Sequence, residues 1–320
     1  MLATASHSSP PAGSLIDPKV LMSLRNLELR ARVVVEGFWS GLHRSPYHGF
    51  SVEFTEYRQY TPGDDLRYLD WKVYARSDRY FLKRFEDETN LRCHLIADQS
   101  RSMAYGSVGY TKAEYAATLA ATLAYFLHLQ GDAVGLLTFD GAVRDYLPAR
   151  HRFGHLRRLM LALEQPASGR ATDLVAPLQR VVEIVRKRGL VVLISDFLAP
   201  LDRLEQALVQ LAACGHEGIA FQVLDPAELS FPFREPALFE DGESGKSLLI
   251  DPGSVRAGYL RKLESHCAAV RELCLRLGHS HARLGTDQPL ERALFEFLQA
   301  RAHRGRRVQR AGRHAQGRWT

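Results

Sequence analysis

Leu91-Arg92-Cys93-His94-Leu95-Ile96-Ala97-Asp98-Gln99-Ser100-Arg101-Ser102-Met103 is the stretch whose reading decides the fold. Leu91–Ala97 is a short, mostly apolar run of the length of a buried strand. Asp98, Ser100 and Ser102 then fall at alternate positions, where that strand breaks into a loop, and a long helical pattern opens at Lys112. Strand, polar loop and helix in that order begin a β-α-β unit, and in open α/β sheets ligands bind outside the carboxyl ends of the strands. The three side chains are hard oxygen donors, the type a small hard cation such as Mg²⁺ (or Mn²⁺) selects.

Outward from this stretch the alternation continues. Lys112–Gln130 is helical, with Gly131 placed to end it in a left-handed cap. Ala133–Phe139 reads as a strand, and Asp140-Gly141 is a hairpin signal into an antiparallel edge strand, Ala142–Tyr146. His151–Glu164 is helical. Ala171-Thr172-Asp173 leads into a helix running to Arg188. Leu190–Ser195 is a fully apolar strand ended by Asp196. Helix Leu201–Ala213, strand Ile219–Leu224, a surface excursion Leu229–Gly245, strand Ser247–Ile250, a helix capped by Ser254 and running to Leu277, strand His281–Leu284 and helix Pro289–Arg301 complete the series. This spacing predicts an α/β fold: a mainly parallel sheet with helices on both faces.

In that topology the strands ending at Ala97 and Ser195 are neighbours at the switch point, where loops part and leave a crevice. Asp98 and Asp196 then face one another, with Thr172 leaning in from a third loop. The candidate metal ligands are Asp98, Ser100, Ser102, Thr172 and Asp196. A donor set so rich in neutral hydroxyls leaves a divalent cation short of negative charge. It therefore attracts a carboxylate from a partner, which is a logic of binding more than of hydrolysis.

The N-terminal part reads differently. Residues 1–16 are small and polar and are expected to be disordered. Residues 17–90 are expected to form an N-terminal helix and a small β-rich subdomain. Asp17 caps a helix from Pro18 to Val35 with Val20 on its apolar stripe, and Ser51–Tyr57 and Tyr80–Phe85 alternate as strands. Between the strands Arg58, Asp64, Asp65, Arg67 and Asp70 can clamp an irregular loop through charge-assisted pairs, or present a docking face. Residues 91–301 are the α/β domain, and 302–320 an Arg-rich disordered tail.

Composition excludes several classes. The chain has 320 residues and a formal charge of +6, but residues 301–320 hold seven arginines and no acid or lysine, so the body is near neutral. The tail offers weak, salt-sensitive contact to nucleic acid or an anionic surface. Cys93, Cys214, Cys267 and Cys274 form no C-x-x-C pair and read as reduced core residues. There is no signal-peptide pattern and no apolar run long enough to span a bilayer, so a cytoplasmic location is expected. Glu240–Ser247 imitates the end of a P-loop, but the first required glycine is Glu240 and its acids repel phosphate. No G-x-S-x-G elbow occurs, and His151 and His155 read as helix-surface residues.

Asp98-Gln99-Ser100-Arg101-Ser102, with Thr172 and Asp196, resembles the metal-ion-dependent adhesion site of von Willebrand factor A domains. The string Arg58-Gln-Tyr60-Thr-Pro62-Gly63-Asp64-Asp65-Leu-Arg67-Tyr-Leu-Asp70-Trp71 ahead of that site is similar to the domain-of-unknown-function family fifty-eight. The resemblance implies a von Willebrand A-like (Rossmann-like) fold and a non-enzymatic, Mg²⁺-dependent interaction module. It also implies work beside a MoxR-type AAA+ ATPase, in assembling or activating other protein complexes, while the donor set itself calls for a client with an acidic side chain. The rival class is a Mg²⁺-dependent phosphohydrolase with Asp98 as nucleophile. Such chemistry wants an acid two residues on, and that position is Ser100.

Overall fold

The computed structural model describes residues 16–44, 56–59, 81–84, 91–167, 179–180, 183–185, 188–240 and 247–301. Most of the Arg58–Trp71 string, Thr172 and the residues of the two expected disordered ends, apart from Ile16, lie outside these. The chain divides into two units, 44–90 and the remainder. In the first, β1 (Glu56–Gln59) and β2 (Phe81–Arg84) pair antiparallel, with Glu56 opposite Arg84.

The second unit is built on a six-stranded sheet of order β10-β7-β6-β3-β4-β5. β3 (Arg92–Asp98), β4 (Ala133–Phe139), β6 (Leu190–Ser195), β7 (Glu217–Leu224) and β10 (Ser280–Gly285) run parallel. β5 (Val143–Arg150) is the antiparallel edge, reached through the Asp140-Gly141 turn. From β3 the chain moves one way to β4 and β5, then returns to lay β6 on the other side of β3. The switch point therefore lies between β3 and β6, where Cys93 to Ala97 align with Leu190 to Ile194.

Both faces are covered, which is why the central strands read as continuous apolar runs. On one side Cys93, Leu95, Ala97, Val192 and Ile194 pack against α1 (Pro18–Ser23), α2 (Leu27–Arg44), α3 (Lys112–Leu129), α4 (His155–Leu163) and a helix at 290–301. On the other side Ile96, Leu137, Val191 and Leu193 pack against α5 (Leu201–Ala213) and α7 (Pro252–Arg276). α3 is enclosed on nearly every side. Its Thr118 and Thr122 hydroxyls donate to the Glu114 and Thr118 carbonyls one turn back, so burial leaves neither unpaired.

Several expectations are corrected. The single helix expected over 18–35 is two helices. Leu24 turns extended, and Asn26 Oδ1 caps the second by accepting the Leu29 N–H at 2.8 Å. Arg30 donates to the Met22 and Leu24 carbonyls and so satisfies the end of α1. The break rotates Val20 out to 64% exposure, while Leu21, Leu27, Ala31 and Val34 enter the core. These helices therefore belong with the sheet, and the division falls after His43 rather than after residue 16. Ile16 is held by Glu291 Oε1, which accepts its N–H at 3.0 Å. His155 is buried, with its ring on the Val134 carbonyl at 2.8 Å, not on the surface. Asp251, with Pro252 at the first helical position, caps α7 in place of Ser254. Ser247–Ile250 (β9) pairs with Ala237–Glu240 (β8) as a separate hairpin. The four cysteines are free, and Cys214 is exposed.

His94 on β3 and His281 on β10 are both held neutral, each to about 4, chiefly by burial and then by neighbouring positive or imidazole groups. The folded state therefore binds fewer protons than the unfolded chain between about 6.5 and 4. The contribution of these two histidines to stability is complete above that window and is lost on acidification through it. In thermal unfolding stepped from pH 7 to 4, the melting temperature of wild type relative to His94→Leu should fall. An equal slope in the variant would contradict the assignment to His94.

Candidate metal centre

β3 ends on Asp98, which is 1% exposed. The chain then turns sharply. Asp98 Oδ1 accepts the Ser100 N–H at 2.8 Å, closing an Asx turn that fixes the carboxylate against the loop it starts. Ser100 and Ser102 bring their Oγ atoms to 3.1 Å from one another. A short 3₁₀ turn over Arg101–Ala104 follows, and Met103 anchors it in the core.

β6 delivers the second half. Ser195 Oγ donates to Asp98 Oδ2 at 2.6 Å and accepts the Phe197 N–H at 3.1 Å, so one hydroxyl ties the two strand ends together. Phe197 sits at φ 54°, a left-handed conformation that is unfavourable for a bulky residue. Its buried ring and the His266 ring nitrogen on its carbonyl at 2.7 Å hold it there. This strained turn orients Asp196, whose Oδ1 accepts the Leu198 N–H at 3.1 Å and whose carbonyl accepts from Gln222 Nε2 at 3.0 Å.

The remaining Asp196 oxygen meets a cation. Lys112 Nζ lies 2.9 Å from Asp196 Oδ2 and 2.6 Å from Glu228 Oε1. Glu228 is in turn set by a reciprocal cap on α6 (Pro226–Ser230): its other oxygen accepts the Asp225 N–H at 2.8 Å. Asp225 accepts from Ala227 N–H, and from the backbone and hydroxyl of Ser107. Burial pulls Lys112 toward neutrality, but the charges of Asp196 and Glu228 outweigh it and the net shift is upward. Burial, then the charge of Asp196, push Asp98 up to about 7 against the hydrogen bonds it accepts from Ser195 and Ser100.

Asp98, Ser100, Ser102 and Asp196 are thus brought to one crevice. Sequence reasoning missed Ser195, Lys112 and Glu228. A lysine in the first turn of an apolar helix was a readable signal, because it opposes the helix dipole and needs carboxylate partners there. Glu228 gave none beyond its cap spacing from Asp225.

The donor set suits a small hard cation. Its described members are carboxylates and hydroxyls, without sulfur or imidazole. No three His, Cys, Asp or Glu side chains among the described residues gather closely enough to hold a metal.

A mainly parallel sheet covered by helices on both faces, with serines and carboxylates at its switch point, defines an open, Rossmann-like α/β domain. The chain matches the family described as Protein of unknown function DUF58 over residues 56–269, and it belongs to that family. Protein Rv1480 of Mycobacterium tuberculosis is 31% identical over 301 residues, covering 91% of this chain and 94% of that protein. Among solved structures, BatB from Bacteroides thetaiotaomicron is 17% identical, with a TM-score of 0.48 over 66% of this chain and 99% of BatB. The SpRpn10 VWA domain is 13% identical, with a TM-score of 0.35 over 64% of this chain and 94% of that domain.

Because the folded Asp98 binds its proton up to about 7, its own contribution to the stability of the metal-free protein falls as pH rises from about 4 through 7. Asp98→Asn removes the charge, its amide oxygen still accepting the Ser100 N–H and its amide N–H donating to the Ser195 hydroxyl in place of accepting from it. In chelator, the melting temperature of Asp98→Asn relative to wild type should climb between pH 5 and 8. A constant difference would contradict the buried, charge-strained Asp98.

Proposed function

We propose that this protein is a non-enzymatic, Mg²⁺-dependent interaction module that works with a MoxR-type AAA+ ATPase in assembling or activating other protein complexes. One observation carries this reading: two carboxylates and two serine hydroxyls meet at the β3–β6 switch point. Ser100 and Ser102, with Thr172 from a loop outside the described residues, would contact the cation. Asp98 and Asp196 would act mainly through water, since both already accept hydrogen bonds. When bound, Mg²⁺ supplies an electrophilic position with surplus positive charge. The residues of this chain hold the oxygens in place and leave that charge for an acidic side chain of the client.

The hydrolase reading fares worse. Asp98 is buried, each of its oxygens is engaged, and the residue two positions on is Ser100. The ATPase partner rests on family resemblance, and the acidic client on the chemistry of the donor set. No helix among the described residues is long and apolar enough to cross a membrane. Together with four free cysteines this supports a cytoplasmic setting.

A ligand at a hundredfold its Kd stabilises the folded state by about 2.7 kcal/mol, or about 5 °C or more in melting temperature for a domain of this size. Saturating Mg²⁺ should raise the wild-type melting temperature by about that amount and leave Asp98→Ala unmoved, and chelator should reverse the rise. Affinity capture from the source cell should retain an AAA+ ATPase in Mg²⁺ and lose it in chelator. Equal responses of wild type and variant would sink the metal assignment, and chelator-insensitive capture would sink the metal-dependent partnership.

A further inference from the structure

Lys112 has no part in the binding scheme above, yet it is fully enclosed and touches one of its proposed ligands. Its side chain is 1% exposed and its ammonium lies between Asp196 and Glu228, at 2.9 and 2.6 Å. It stands in the first turn of α3, where the backbone already carries partial positive charge. A cation is not placed there by solvation or by the helix. Among the described residues, the two carboxylates are what offsets its burial.

We propose that Lys112 is a resident counter-ion of the candidate metal centre, which neutralises Asp196 in the metal-free protein and holds down the affinity of the site for a divalent cation alone. This rests on the metal reading of Asp98, Ser100, Ser102 and Asp196. Asp98, Asp196, Glu228 and Lys112 together carry two net negative charges, but Glu228 is committed to the ammonium and to the Asp225 N–H and Asp196 shares the same ammonium, so the carboxylates facing a doubly positive ion offer it less than its full countercharge. The deficit is the charge that a client's acidic side chain would supply, so cation and client would reinforce one another's binding. Glu228 gives the arrangement its second position. Its reciprocal cap with Asp225 fixes it beside Lys112, so the ammonium stays paired when Asp196 turns toward a cation. Without Glu228 the ammonium would have Asp196 alone and would hold it harder.

The test is titration of the full chain with Mn²⁺ alone at pH 8, reading free Mn²⁺ by electron paramagnetic resonance. Wild type, Lys112→Met and Glu228→Gln are compared, with Asp98→Ala locating the binding at this site. Lys112→Met should bind Mn²⁺ about tenfold tighter or more, since it removes a positive charge from the edge of the site. Glu228→Gln should bind it several-fold more weakly. A lysine that only held the loop in place would weaken binding when removed. Unchanged or weaker binding in Lys112→Met therefore overturns the counter-ion role while leaving the metal centre standing. No Mn²⁺ binding by any of the proteins overturns the metal reading and this inference with it. Should Lys112→Met fail to fold, Glu228→Gln decides alone, and unchanged or tighter binding there overturns the proposal.

Discussion

Parallel pairing of β3 with β6 brings Asp98 and Ser195 to the same end of the sheet, on adjacent strands that leave in opposite directions. The chain cannot cover the gap it opens by turning away on both sides, and every polar group at the two strand ends has to find a partner within it. The Ser195 hydroxyl on Asp98 is the first of these, and the Asx turn at Ser100 is the second. The left-handed Phe197 is the conformational cost of aiming Asp196 back across the same gap, of order 1–2 kcal/mol, and its buried ring offsets it.

Buried charge sets the character of the site. Asp196, Lys112 and Glu228 lie in one continuous network that reaches through Asp225 to the Ser107 loop, and Asp98 is tied to the neighbouring strand end through Ser195. Such a network is weak evidence for stability, because the desolvation of its members roughly matches their attraction. Its consequence is specificity of position. Removing one member leaves another charge uncompensated, so the loops at the carboxyl end of the sheet are fixed as a set.

The fold was legible where hydrophobic periodicity was unambiguous. The runs Leu91–Ala97, Ala133–Phe139 and Leu190–Ser195 could only be buried strands, and their spacing by helices implied parallel order. Asp98, Ser100, Ser102 and Asp196 were legible because each followed such a strand, where an open α/β sheet exposes its loops. Boundaries set by local capping were not. Asn26 breaks one helical pattern in two without interrupting its periodicity, and Asp251 with Pro252 outcompetes Ser254 as a cap. Ser195 was hidden inside the apolar run it ends. Lys112 and Glu228 lie 116 residues apart in sequence, and nothing local foretells that they meet.

Growth of crystals in Mn²⁺, with an anomalous difference map at the manganese edge, tests the central claim most directly. The predicted result is a peak bordered by the Ser100 and Ser102 hydroxyls at the β3–β6 crevice, with Asp98 and Asp196 reaching it mainly through water. A map with no peak in that crevice, or with manganese bound only elsewhere, would contradict the assignment of this switch point as a metal centre.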